Sequence, residues 1–180
     1  AANPYYLATP DIVLDAMRRF GDETGRRYRL FDYHGHPEAE RVVVLMGSGV
    51  GAAREAAAQL NRAGQKVGVV SVRLFRPFSL TALIEVLPPT VERVAVLDRT
   101  KEPGASGEPL YLDVLSALSE ARRTGARATA PEVVGGRYGL SSKELTPSMV
   151  GGVFAALSAE TPSHGFTVGI VDDVTHASLS

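Results

Sequence analysis

From Arg41 onward one pattern recurs along the chain: an apolar run of strand length, a break of Gly, Pro or Ser, then a segment with helical spacing. Arg41–Met46, Val67–Phe75, Arg93–Leu97, Glu132–Val134 and Phe166–Val171 read as strands. Between them, helices are expected at about Val50–Arg62, Ser79–Leu87, Pro109–Arg123 and Pro147–Ser158. Strands that are apolar at nearly every position need cover on both faces, and crossover helices supply it one face at a time. The expected fold class is therefore α/β: an open, doubly wound, mostly parallel sheet of about five strands with flanking helices. Ser48 and Ser79 stand at N-cap positions, and Gly64 and Gly125 at the residue after a helix end, so local chemistry agrees with the global pattern.

The first forty residues have a different texture. Val13, Met17 and Phe20 share one helical face after Pro10, which predicts a helix over about 11–21. Arg27 to Tyr33 mixes aromatics with polar residues and reads as extended, followed by a turn through Gly35, His36 and Pro37. The expected organisation is an N-terminal helix and extended arm over 1–40, packing on a neighbour, and one compact α/β unit over 41–180.

A chain of 180 residues with 44% apolar and 22% charged side chains can build a core without disulfides or a structural metal. It contains no cysteine, which excludes disulfides, cysteine nucleophiles and cysteine-ligated clusters within this stretch. Nineteen basic and twenty acidic residues are mixed along the chain, so it lacks the basic footprint of a nucleic-acid binder. No apolar run approaches the roughly 18–20 residues that span a bilayer, and the N-terminus carries no secretory pattern. The expected setting is cytoplasmic, without membrane or nucleic acid. A start without Met and an uncapped end suggest a piece of something longer.

Four loops carry chemistry. Gly47-Ser48-Gly49-Val50-Gly51-Ala52 follows a strand and opens a helix, in the form of a dinucleotide fingerprint. The acidic residue that should follow about 20 positions on is missing, so a phosphate loop over Gly47, Ser48, Gly49 and Gly51 competes with a plain tight turn. Arg73 and Arg76, at the end of the second strand, are suited either to an anion or to a domain contact anchored by Phe75 and Phe78. Arg99, Lys101 and Glu102 open a loop with two glycines and two prolines before the next helix, a density of charge that marks functional or interfacial loops. Gly135 to Pro147 is a second glycine-rich loop, in which Arg137 and Lys143 could hold an anion or meet a partner domain. No nucleophile stands beside a base, so no catalytic residue is assigned. His34, His36, His164 and His176 lack metal-ligand spacing, and no metal site is expected.

Taken together these segments become specific. Val72-Arg73-Leu74-Phe75-Arg76-Pro77-Phe78, Val96-Leu97-Asp98-Arg99-Thr100-Lys101-Glu102-Pro103-Gly104, Gly107 to Val114, Gly135 to Glu144 and Phe166 to His176, with Tyr28 to Tyr33 before them, closely resemble the second domain of pyruvate:ferredoxin (flavodoxin) oxidoreductase. The resemblance runs in order along essentially the whole chain. It implies a fold like the C-terminal domain of transketolase, and a parent that oxidatively decarboxylates pyruvate with coenzyme A to acetyl-CoA and reduces ferredoxin or flavodoxin. It also implies thiamine diphosphate, Mg and 4Fe–4S clusters in that parent, and its other domains and second subunit as partners. The thiamine-binding Gly-Asp-Gly motif and the cluster cysteines are absent from this sequence. The expectation is a structural and interface domain that holds no cofactor and is inactive alone, with loops 73–78, 99–109 and 135–143 meeting its neighbours. The alternative is a stand-alone nucleotide- or phosphate-binding protein using the Gly47–Gly51 loop.

Overall fold

A computed structural model describes residues 2–170 and 176–179. Seven strands form one sheet: β1 Phe31–Gly35, β2 Arg41–Met46, β3 Val67–Val72, β4 Arg93–Asp98, β5 Glu132–Arg137, β6 Phe166–Val168 and β7 Ser178–Leu179. Their order is β1-β3-β2-β4-β5-β6-β7, parallel except for β1, which runs antiparallel against β3. The helices are α1 Asn3–Thr24, α2 Val50–Arg62, α3 Leu80–Val86, α4 Pro109–Arg123 and α5 Pro147–Ala156. The sheet is thus the expected α/β type with seven strands rather than about five. The two further strands, β1 and β7, lie at its ends, and β7 is only two residues long.

The continuous apolar runs bury both faces of the sheet, as their composition requires. Val42, Val44, Val70, Val94 and Val96 face α3 and α4 through Leu83, Leu110, Val114 and Leu118. Val43, Leu45, Val69, Ala95 and Leu97 face α2 and α5 through Ala53, Ala57, Val150 and Phe154. The amino ends of β2 and β4 are tied to the C-terminus of α5. Arg41 donates to the Phe154 carbonyl at 3.2 Å, and Arg93 donates to Leu157 and Ala159 at 2.7 and 2.6 Å. Cations there satisfy carbonyls that the helix leaves unpaired. The amino edge is closed by structural arginines, while the polar loops gather at the carboxyl edge.

Two terminal segments differ from expectation: α1 is longer, and the fifth expected strand, β6, ends at Val168, with Gly169 and Ile170 outside it. α1 spans Asn3–Thr24 rather than about 11–21. Pro4 occupies the first turn, where no N–H partner is required, and the bond that Pro10 cannot make falls on exposed Tyr6. The last described residue before the gap is Ile170, so Val171, the expected end of the fifth strand, and the segment to Thr175 lie outside the described residues.

Ser79 caps α3 by accepting the Ala82 N–H, whereas Ser48 caps nothing: it lies within a 3-10 turn over Gly47–Gly49 that precedes α2. Gly64 and Gly125 follow α2 and α4 in the left-handed conformation, as expected.

Candidate anion-binding crevice

Strands β2 to β5 run parallel, so the loops after them leave the sheet at one edge. From β2 the chain crosses through α2 to β3 on one side, then through α3 to β4 on the other side of β2. The order among the parallel strands is that of a doubly wound sheet with its topological switch between β2 and β4. At such a point the two loops diverge and leave a crevice outside the carboxyl ends of the strands.

Here the crevice is a cavity of about 230 Å³, walled by Ser48 and Gly49 after β2, Arg99 after β4, and Tyr138, Gly139 and 142–145 after β5. Arg99 donates to the Ser48 hydroxyl at 3.2 Å, spanning the switch point. Tyr138 is buried and donates its hydroxyl to the Met46 carbonyl at 2.7 Å. Burial pushes its phenol above the ordinary value, with Arg99 and a backbone N–H opposing. Gly49 is required by packing: a Cβ there would lie 2.8 Å from the Tyr138 ring and 2.9 Å from Leu145 Cδ2. After Tyr138 the backbone enters the left-handed region at Gly139, Ser141 and Ser142, with φ of 65°, 53° and 59°. For the two serines that conformation costs on the order of 1 kcal/mol each.

The residues singled out from sequence separate into four sets. Ser48, Gly49, Arg99 and Lys143 come together at the crevice. Gly47 and Gly51 belong to the same turn and helix start, but open space surrounds the position of a Cβ at each. Arg73, Arg76 and Arg137 are engaged elsewhere. Arg73 pairs with Asp32 and lies 4.2 Å from the Tyr28 ring centroid; Arg76 pairs with Asp113. Arg137 pairs with buried Glu108 and donates to the Gly165 carbonyl at 2.9 Å. Lys101 and Glu102 are exposed and take part in no ion pair among the described residues.

Three anchoring groups were not visible as such in the sequence. Asp98 is buried at the end of β4 and accepts the N–H groups of Leu110 and Tyr111 at 2.9 and 3.1 Å, capping α4 from across the loop. Burial raises its carboxyl above the usual range, against the lowering by those two bonds. His164 accepts the Gly135 N–H through Nδ1 at 3.1 Å, a structural role. Tyr138 bridges β5 to β2; its place after Arg137 carried no periodic signal. Two larger hollows, about 580 and 640 Å³, flank β1 and α1 and are lined partly by Arg26, Arg29 and Arg54.

Residues 39–142 match the family model described as pyruvate:ferredoxin oxidoreductase core domain II, a span from the residues before β2 to the turn at Ser142. The chain belongs to that family. This domain II is 58% identical over 179 residues to the probable pyruvate-flavodoxin oxidoreductase of Escherichia coli, covering 99% of the chain and 15% of that protein. It is 57% identical over 179 residues to the pyruvate:ferredoxin oxidoreductase of Moorella thermoacetica, with the same two coverages. The chain thus spans about 15% of the length of these curated relatives. A 2-oxoglutarate:ferredoxin oxidoreductase from Magnetococcus marinus, solved with 2-oxoglutarate, coenzyme A and succinyl-CoA, is similar at a TM-score of 0.44 and 20% identity. That likeness covers 69% of domain II and 19% of the solved chain, too loose to transfer any site.

The matched span includes the crevice walls up to Ser142 and leaves Lys143, Glu144 and Leu145 beyond it. The donor set of domain II does not fit an iron–sulfur cluster, because it contains no cysteine. Among the described residues no group of three or more His, Asp or Glu side chains is arranged to hold a metal ion, and no helix is long and apolar enough to cross a membrane.

Proposed function

We propose that this chain is a structural and interface domain of a cytoplasmic pyruvate:ferredoxin (flavodoxin) oxidoreductase. The parent would oxidatively decarboxylate pyruvate with coenzyme A to acetyl-CoA and pass electrons to ferredoxin or flavodoxin. Thiamine diphosphate with Mg supplies the electron sink for breaking the carbon–carbon bond, and 4Fe–4S clusters supply the exit for electrons; protein side chains provide neither. This chain holds no cysteine to ligate a cluster, and the reading assigns those cofactors to the rest of the parent.

The observation that carries the interface role is the surface of α1. Tyr5, Leu7 and Ile12 are 77%, 74% and 63% exposed, and Tyr6, Leu14 and Phe20 add to the same uncovered helix. Large apolar side chains left uncovered along one helix are what a partner surface would cover. Among the described residues Val13 alone of α1 packs against a core cluster, and Phe20 stacks on Tyr28 at 6.0 Å. A domain whose own strands are covered on both faces has no internal use for this helix. Docking against other domains or the second subunit gives it one.

The test replaces Leu7 and Ile12 by Asp in the full-length parent. The expected result is weakened assembly in sedimentation and loss of pyruvate turnover, with the melting temperature of the 180-residue chain unchanged by the same substitutions. Full assembly and activity in the double variant, or turnover of pyruvate by the 180-residue chain alone, would overturn the reading.

A further inference from the structure

We infer that the crevice between β2 and β4 is a binding site for a phosphate group. This does not rest on the interface reading above; it concerns the domain's own carboxyl edge.

Three separate loops deliver hydrogen-bond donors to one cavity of about 230 Å³: Ser48 from the turn after β2, Arg99 from the loop after β4, and Ser142 and Lys143 from the loop after β5. Neither Arg99 nor Lys143 belongs to any ion pair among the described residues, in contrast to Arg73, Arg76 and Arg137 along the same edge. The Arg99 bond to Ser48 is neutral at the acceptor and leaves the guanidinium charge uncompensated. Of the buried acids nearby, Asp98 is committed to the N–H groups of α4 and Glu108 to Arg137, and Glu144 at the cavity wall pairs with neither cation among the described residues.

The position agrees independently with the topology. An open α/β sheet offers its crevice at the switch point, and here that point lies between the strands bearing Ser48 and Arg99. The turn over Gly47–Gly49 leads into α2, whose first turn holds no acidic residue and whose N-terminus takes no side-chain cap. Its field therefore adds to the two cations. A planar fork, an ammonium and two hydroxyls approaching from different loops suit a tetrahedral oxyanion better than a planar carboxylate.

Glu144 also lines the cavity and is the one acidic side chain there among the described residues. Its charge opposes those of Arg99 and Lys143, which makes Glu144 an attenuator of the site. Tyr138 and Leu145 form the apolar floor on which Gly49 sits, and the Tyr138 hydroxyl is already committed to Met46.

The experiment titrates the 180-residue chain, checked for native circular dichroism, with inorganic phosphate and separately with adenosine monophosphate by calorimetry and phosphorus NMR. Saturable binding is expected, weakened roughly tenfold or more by Arg99→Ala or Lys143→Ala, strengthened by Glu144→Gln, and unmoved by Arg62→Ala at the far end of α2. Equal affinity for the two probes assigns the site to a free ion, and tighter binding of the monophosphate assigns it to the phosphate of a larger molecule. Absence of saturable binding at millimolar phosphate, or equal loss in the Arg62 control and the crevice variants, would overturn the site.

Discussion

Tyr138 reaches over the end of β4 to the backbone carbonyl of Met46, so one hydroxyl ties the ends of β5 and β2 together at 2.7 Å. The ring is buried and packs against the backbone of Gly49, so the bond is shielded from water. Tyr138→Phe removes the donor and leaves a carbonyl short of its partner. The expected cost is about 1–2 kcal/mol in denaturant unfolding, with the β5 turn loosening first in hydrogen exchange.

Two glycines of the same turn should respond in opposite directions. At Gly49 an added methyl would press on the Tyr138 ring and Leu145, and Gly49→Ala should destabilise by about 1–3 kcal/mol. At Gly51, inside α2, nothing lies within 4 Å of a Cβ, and Gly51→Ala should stabilise by about 0.5–1 kcal/mol. Thermal melts of the two single variants check both signs.

Asp98 holds α4 by its first N–H groups, and Asp98→Ala should cost about 2 kcal/mol because both donors lose their acceptor. Its carboxyl titrates above the ordinary value of 3.8 in the folded chain, burial being the larger cause. The native state therefore takes up this proton before the unfolded state does as pH falls. This group's contribution to stability increases as pH drops through the folded value, and reaches its full extent below 3.8. Stability against pH in that acid window should be less favourable to low pH in Asp98→Asn than in the parent chain.

Glu108 and Arg137 form an ion pair whose side chains are 6% and 19% exposed. Arg137→Met strands the carboxylate and should cost about 3 kcal/mol, while Glu108→Leu added to it should recover most of that loss. A double-mutant cycle in urea separates the pair from simple packing.

The sheet was legible because its pattern is dense. Val42 to Leu45 are apolar without interruption and fully buried, and α4 begins at Pro109 and ends at Arg123 where the sequence places it. The arm was legible only in part. Phe31 and Tyr33 alternate with Asp32 and His34, which marks a strand, but its partner β3 lies some forty residues onward, and neither direction nor edge position follows from local alternation. The crevice divides in the same way. Each loop announces itself through Gly, Ser and Arg, yet only the strand order decides that Arg99 and not Arg73 stands opposite Ser48. Arg73 and Arg137 looked like candidates for the same task because the acids that engage them, Asp32 and Glu108, are remote in sequence.

The reversed direction of β1 has a mechanical consequence. Phe31, its first residue, pairs with Val72, the last of β3, so the connection from α1 reaches the sheet at the rim that bears the crevice. Only 25–30 separate the helix from that strand, a tether of at most about 20 Å. In the proposed docking, a body seated on α1 would be leashed to the same rim as Arg99.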